Sequence, residues 1–252
     1  MRSGVDGEWR SLDLADRYDL TAVGDGLFVS AGGALQRSMD RGLSFETLPS
    51  PAGYVSLVAA LDGALAVVFG DSLYTSTDQG ETFVELGTVP HDYASRRILR
   101  VGDELVYADG PDLYRSADEG RRWERATAVS GFLLEATTVV GGAIFVADYW
   151  GALSRSTDRA GSWSAIPLPV EGRVVSMASD GEVLFAAIHH PDASGGGVFY
   201  TRDLGATWRR LESDEPPAAP VRVTALAHDG HDLYIGTVGT GTWVAHLARP
   251  LR

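Results

Sequence analysis

The chain contains no cysteine, no lysine and no asparagine. Without thiols, both disulfide staples and thiolate-held metals are excluded. Without lysine, all 21 basic residues are arginine, and they stand against 34 aspartates and glutamates for a formal net charge of −13. A surface of that sign repels a phosphate backbone, which excludes nucleic acid as a partner. The two missing basic and amide residue types share A-rich codons, so a GC-rich genome explains their absence. An acidic, lysine-free surface equally suits a salt-loving organism, and the sequence leaves both explanations open. No apolar run reaches membrane-spanning length, and Met1-Arg2-Ser3-Gly4-Val5-Asp6 lacks the apolar stretch of a secretion signal. The expectation is therefore a cytoplasmic protein with no membrane span.

What is present points to β-structure. Of the 252 residues 44% are hydrophobic, and 30 glycines and 11 prolines punctuate them, as in many short strands separated by turns. One pattern then recurs five times. It is Ser38-Met39-Asp40-Arg41-Gly42-Leu43-Ser44-Phe45, Ser76-Thr77-Asp78-Gln79-Gly80-Glu81-Thr82-Phe83 and Ser116-Ala117-Asp118-Glu119-Gly120-Arg121-Arg122-Trp123 in the first half of the chain. It returns as Ser156-Thr157-Asp158-Arg159-Ala160-Gly161-Ser162-Trp163 and Thr201-Arg202-Asp203-Leu204-Gly205-Ala206-Thr207-Trp208. Near-constant spacing of about 40 residues marks a repeat architecture. In a tight hairpin the Asp accepts from nearby backbone N–H groups, the Gly takes a left-handed conformation, and the aromatic packs between sheets. In the fourth copy Ala160 replaces that Gly and Gly161 follows, which predicts a shifted or bulged turn.

Upstream apolar runs, such as Leu27-Phe28-Val29, Leu65-Ala66-Val67 and Leu233-Tyr234-Ile235, mark a second strand, and there are six of them. With an inner strand before each and a third strand leading into the box, the period is that of a four-stranded propeller blade. The last blade, about 221–248, lacks a fourth strand. Trp9-Arg10-Ser11-Leu12 matches the other fourth strands, so the N-terminal strand, about 8–13, is expected to complete blade six and close the ring. The fold predicted is an all-β, six-bladed β-propeller of four-stranded antiparallel blades, with residues 1–252 forming one domain.

The five segments resemble the Asp-box, or BNR, repeat, and the resemblance covers nearly the whole chain. It implies a sialidase-like six-bladed fold, a superfamily that includes sialidases, other carbohydrate-active enzymes, sorting receptors and photosystem assembly factors. It also implies that the five box aspartates are structural, on a face remote from any ligand. The Phe/Tyr-Arg-Ile-Pro motif of sialidases has no counterpart here, its nearest approach being Arg97-Ile98-Leu99.

Ligand-binding candidates lie at the other end of the blades. Aligning the inner strands places Asp19, Ser56, Arg97, Ala136, Arg173 and Arg222 at equivalent positions. Arg97, Arg173 and Arg222 would hold a carboxylate or phosphate around a channel mouth, or pair with acidic loops nearby. Asp148-Tyr149-Trp150, in a second-to-third-strand loop, offers Tyr149 and Trp150 as a stacking surface, or as rings that fill the mouth. Asp109 occupies the position equivalent to Asp148, and the two are the only catalytic candidates, as the carboxylate pair of a glycoside hydrolase. His189-His190-Pro191-Asp192 reads as a loop rather than a metal site, because adjacent side chains in an extended segment point apart. His91-Asp92-Tyr93 lacks a nucleophile, and Ser213–Pro220 reads as a stiff acidic crossing between blades five and six.

The expected function is therefore a non-catalytic binding or assembly propeller for a protein segment, glycan or small anionic ligand, without metal or cofactor and monomeric. The alternative is a carbohydrate-active hydrolase of sialidase-like or xyloglucanase-like type.

Overall fold

A computed structural model describes residues 17–40, 42–90, 96–110, 112–126, 134–192, 195–211, 222–228, 232–238 and 242–246. The chain divides into two compact units, Met1–Arg125 and Ala126–Arg252. In the first, three antiparallel sheets follow one another: β1 (Arg17–Val23), β2 (Gly26–Ala31), β3 (Ala34–Ser38) and β4 (Glu46–Thr47); β5 (Val55–Leu61), β6 (Ala64–Phe69), β7 (Ser72–Ser76) and β8 (Val84–Thr88); then β9 (Arg96–Val101), β10 (Glu104–Asp109), β11 (Asp112–Ser116) and β12 (Glu124–Arg125). The second unit repeats the plan with β13 (Leu134–Val140), β14 (Ala143–Asp148), β15 (Leu153–Ser156) and β16 (Ser164–Ile166), and with β17 (Arg173–Ser179), β18 (Leu184–His189), β19 (Gly197–Thr201) and β20 (Arg209–Arg210). It ends on β21 (Val223–His228), β22 (Asp232–Thr237) and β23 (Thr242–His246).

Each sheet is a meander in which consecutive strands are neighbours, five of four strands and the last of three. With no helix among the described residues, the chain is all-β and of the six-bladed β-propeller class. The N-terminal strand expected to complete the last sheet, His91-Asp92-Tyr93 and the Ser213–Pro220 crossing lie outside the described residues.

The second strands carry the core. All six residues of β14 are buried, as are five of six in β6, β10 and β18. A strand covered on both faces reads as a continuous apolar run rather than an alternation, which is why these runs were the clearest signal in the sequence. Their packing partners come from the adjacent sheet. Phe28, Leu35 and Leu48 of the first blade meet Val58, Val67 and Phe69 of the second, and Phe145 and Leu153 of the fourth meet Ile188 and Phe199 of the fifth. Fully burying each such side chain contributes about 1.5–3 kcal/mol.

The aromatics after the second and third repeat turns anchor the short outer strands: Phe83 stands edge to face on Phe69 at 5.1 Å, and Trp123 lies 5.5 Å from Tyr107. Arginines one residue before the repeat serine tie neighbouring blades. Arg37 Nη1 donates to Gln79 O at 2.7 Å, and Arg155 Nη1 donates to Leu204 O at 2.8 Å.

The repeat turns share one hydrogen-bond set. In the first, Ser38 Oγ donates to Asp40 Oδ1 at 2.8 Å, Gly42 N donates to Ser38 Oγ at 2.7 Å, and Ser44 N donates to Asp40 Oδ1 at 2.9 Å. The fourth turn corrects the expectation of a shift. Ala160 N donates to Ser156 Oγ at 2.9 Å and Ser162 N to Asp158 Oδ1 at 2.8 Å, the same bonds as its siblings. Ala160 accepts the left-handed conformation instead, at φ +64°.

Candidate functional site

Antiparallel strands alternate ends, so within each blade the second-to-third-strand turn and the start of the first strand lie opposite the repeat turn. In the second unit this end gathers the β14–β15 turn with the starts of β17 and β21.

Asp148 builds the first of these pieces. Its amide donates to Ala152 O at 3.0 Å, its Oδ1 accepts from Ala152 N at 2.8 Å, and its carbonyl accepts from Gly151 N at 3.1 Å. The side chain is only 4% exposed and is used in forming the turn. Gly151 sits at φ +99°, and a Cβ there would fall 2.8 Å from both Arg173 Cβ and Gly172 O. Only a bare backbone lets this turn lie against the start of β17. The contact leaves Tyr149 and Trp150 facing solvent, 47% and 74% exposed, with their rings edge to face at 5.5 Å. The Arg173 guanidinium lies 5.0 Å from the centre of the Tyr149 ring, and Nη1 donates to Tyr149 O at 3.4 Å. A cation over an exposed ring contributes about 0.5–1 kcal/mol and orients both groups.

The second piece follows from a pairing. Arg173 stands opposite His189 in the β17–β18 ladder, and His189 Nε2 donates to Val223 O, the residue after Arg222. Arg222 is itself held by its carbonyl, which accepts from Val238 N at 2.9 Å. Arg173 and Arg222 thereby reach one open cleft of about 660 Å³ that Tyr149, Trp150, His190, Pro191 and Gly196 also line. No Asp or Glu lines it among the described residues. The two adjacent imidazoles have separate partners, since His190 Nδ1 accepts from Asp192 N at 2.9 Å while His189 reaches Val223. Among the described residues no group of three or more His, Asp or Glu forms a cation site.

Four residues singled out from the sequence, Tyr149, Trp150, Arg173 and Arg222, therefore line one cleft. Arg97, exposed on β9, belongs to the first unit. Its equivalence to the other two arginines does not hold in the hairpin registers. Arg97 pairs with Ala108, one step inside Asp109, whereas Arg173 pairs with His189, one step beyond the corresponding Ile188. Counted back from the hairpin, Arg97 lies three residues before Arg100, whereas Arg173 lies six before the equivalent Ser179, and the one-residue β-bulge near the start of β17, which β9 lacks, offsets only one of those three positions.

Asp109 is fully buried at the end of β10, backbone-paired with Arg96 and Asp112, and neither it nor Asp148 lines the cleft. Reading by residue type also missed His189, whose ring joins two blades. Nothing in the pair His189-His190 signals a backbone acceptor 34 residues away.

Sheets and cleft together describe a β-propeller with a ligand-sized recess at one end of its blades. No protein-family model and no curated protein matches the chain. Among solved structures it is similar to YCF48 from Cyanidioschyzon merolae, with a TM-score of 0.67, 16% identity, and coverage of 96% of this chain and 85% of that one. A structure of YCF48 bound to D1 peptide is similar with a TM-score of 0.68 and 16% identity, over 97% of this chain and 83% of that one. An ancestral GH74 enzyme gives a TM-score of 0.65 at 15% identity, covering 95% of this chain but only 40% of the enzyme. At such identity the likeness defines the fold and nothing finer.

Proposed function

We propose that the chain is an Asp-box propeller that binds its ligand without transforming it, presenting the cleft of its second unit to a segment of another protein. The observation that carries this reading is the lining. Two arginines and a solvent-facing Tyr–Trp pair surround an open recess with no carboxylate among the described residues. Glycoside hydrolysis needs two carboxyl groups flanking the scissile bond, and among the described residues this recess offers neither. Tryptophan, tyrosine and arginine are the residues on which protein recognition most often depends. That a similar propeller, YCF48, has been solved with a peptide bound lends the reading support by analogy.

The test is selection of displayed peptides on the immobilised protein, run beside a glycan array. Peptides are expected to enrich, and Trp150→Ala should weaken the selected peptides about 10–100-fold while leaving the melting temperature unchanged. Glycan binding without peptide enrichment, or peptides indifferent to Trp150, would overturn the proposal.

A further inference from the structure

Within that reading, on which this step rests, the geometry points to a specific chemistry: we infer that Arg173 and Arg222 form a clamp for a single carboxylate, with Tyr149 and Trp150 holding an apolar or aromatic group next to it.

Three observations support the clamp. The arginines occupy matching positions, each immediately before the bulged start of a first strand, at Val174 in one blade and Val223 in the next. They are also linked covalently and by hydrogen bond, through the Arg173–His189 ladder pair and the bond from His189 to Val223 O. Both backbones are held in place this way, and the Arg173 guanidinium is further set over the Tyr149 ring, so part of the ordering cost is already met when a planar anion arrives. Finally, among the described residues neither arginine is ion-paired with a carboxylate, although the protein carries 34 acidic side chains. Arg37, Arg100 and Arg125 elsewhere in the chain do have such partners.

The net charge limits the ligand further. At −13 the protein repels a polyanion at close range, within the roughly 8 Å over which cellular salt leaves the field unscreened. A ligand that reaches the clamp therefore carries one carboxylate on an otherwise neutral or basic segment. The aromatic wall adds the second requirement. Trp150 is 74% exposed beside the clamp, so a flat or apolar group next to the carboxylate removes water from it on binding.

A carboxylate of this kind comes either from the C-terminus of a chain or from an internal Asp or Glu, and the experiment separates the two. The probe is 3-phenylpropionate against 3-phenylpropionamide, followed by ligand-observed NMR on the full chain. The acid should bind and the amide should not. R173Q and R222Q should each weaken the acid about tenfold or more, whereas R202Q, a charge control in a repeat turn, should not. Peptides ending in a free Phe carboxylate are then compared with amidated peptides carrying an internal Glu–Phe pair; preference for the first assigns a chain terminus, and preference for the second assigns an internal acid. Equal binding of acid and amide, absence of acid binding, or wild-type affinity in both arginine variants overturns the clamp. In each of those cases enrichment of displayed peptides that depend on Trp150 still tests the broader reading independently.

Discussion

At the scale of single residues, the repeat turns show how one φ angle decides what a position accepts. The third repeat residue after the serine sits left-handed before a second left-handed residue, as in Gln79-Gly80, Glu119-Gly120 and Leu204-Gly205. The glycines lie at φ +83° to +90°, whereas Ala160 lies at +64°, close to the left-handed minimum that an alanine reaches at a cost of about 1–2 kcal/mol. Gly205 has no such latitude. A Cβ there would fall 2.7 Å from Cγ2 of Ile166, a β-branched side chain that is itself only 9% exposed. Gly205→Ala should therefore destabilise the protein by about 1–3 kcal/mol, read as a lower urea midpoint. A midpoint equal to wild type would show that the neighbouring blade yields. The sequence announced the substitution at 160, but the relaxed φ that tolerates it depends on the backbone path, which residue identities do not encode.

The element in question at the next scale is the hairpin turn, which acts as a small electrostatic device. Asp40, Asp78, Asp158 and Asp203 each accept first from the hydroxyl of Ser44, Thr82, Ser162 or Thr207, then from that residue's amide, and are held down to about 2. Asp118 has Arg122 in place of the hydroxyl residue and is lowered chiefly by the Arg122 amide. A carboxyl lowered from its ordinary 3.8 binds fewer protons folded than unfolded across the intervening range. The turns thus contribute stability that is fully present above about pH 4 and lost as the pH falls toward 2. Urea midpoints measured from pH 7 to pH 2 should drop through that window, and Asp203→Asn should make the drop shallower. Parallel curves for variant and wild type would remove the turn from the account. Here the sequence was explicit, because Asp, its serine or threonine partner four residues on, and the left-handed position are local and lie within one eight-residue segment.

For the molecule as a whole, the open question is how the last blade is finished. Among the described residues its sheet has three strands where the other five have four, and β23 is its outer member. Trp9-Arg10-Ser11-Leu12 carries the pattern of the missing fourth strand, and its pairing onto β23 is our expectation. Deleting residues 1–14 should then lower the melting temperature by roughly 5–10 °C, since each kcal/mol shifts a protein of this size by about 2–4 °C. An unchanged transition would mean that the last blade is complete without this segment.

Blade number, strand order and core were legible in the sequence because they depend on local periodicity. A continuous apolar run at β14 and an Asp–Gly turn after β15 state their roles within a few residues. The five repeat turns also accounted for the most conspicuous acids and aromatics, which directed attention to the opposite ends of the blades. The cleft was only partly legible. Residue type and loop position picked out Tyr149, Trp150, Arg173 and Arg222, but an alignment out of register by two ladder steps set Arg97 beside them as an equal. The tertiary structure alone decided which of them meet, through a glycine at 151 and a histidine bonded to a carbonyl 34 residues on. Such links depend on where two separate strands come to lie, and no window of sequence contains both.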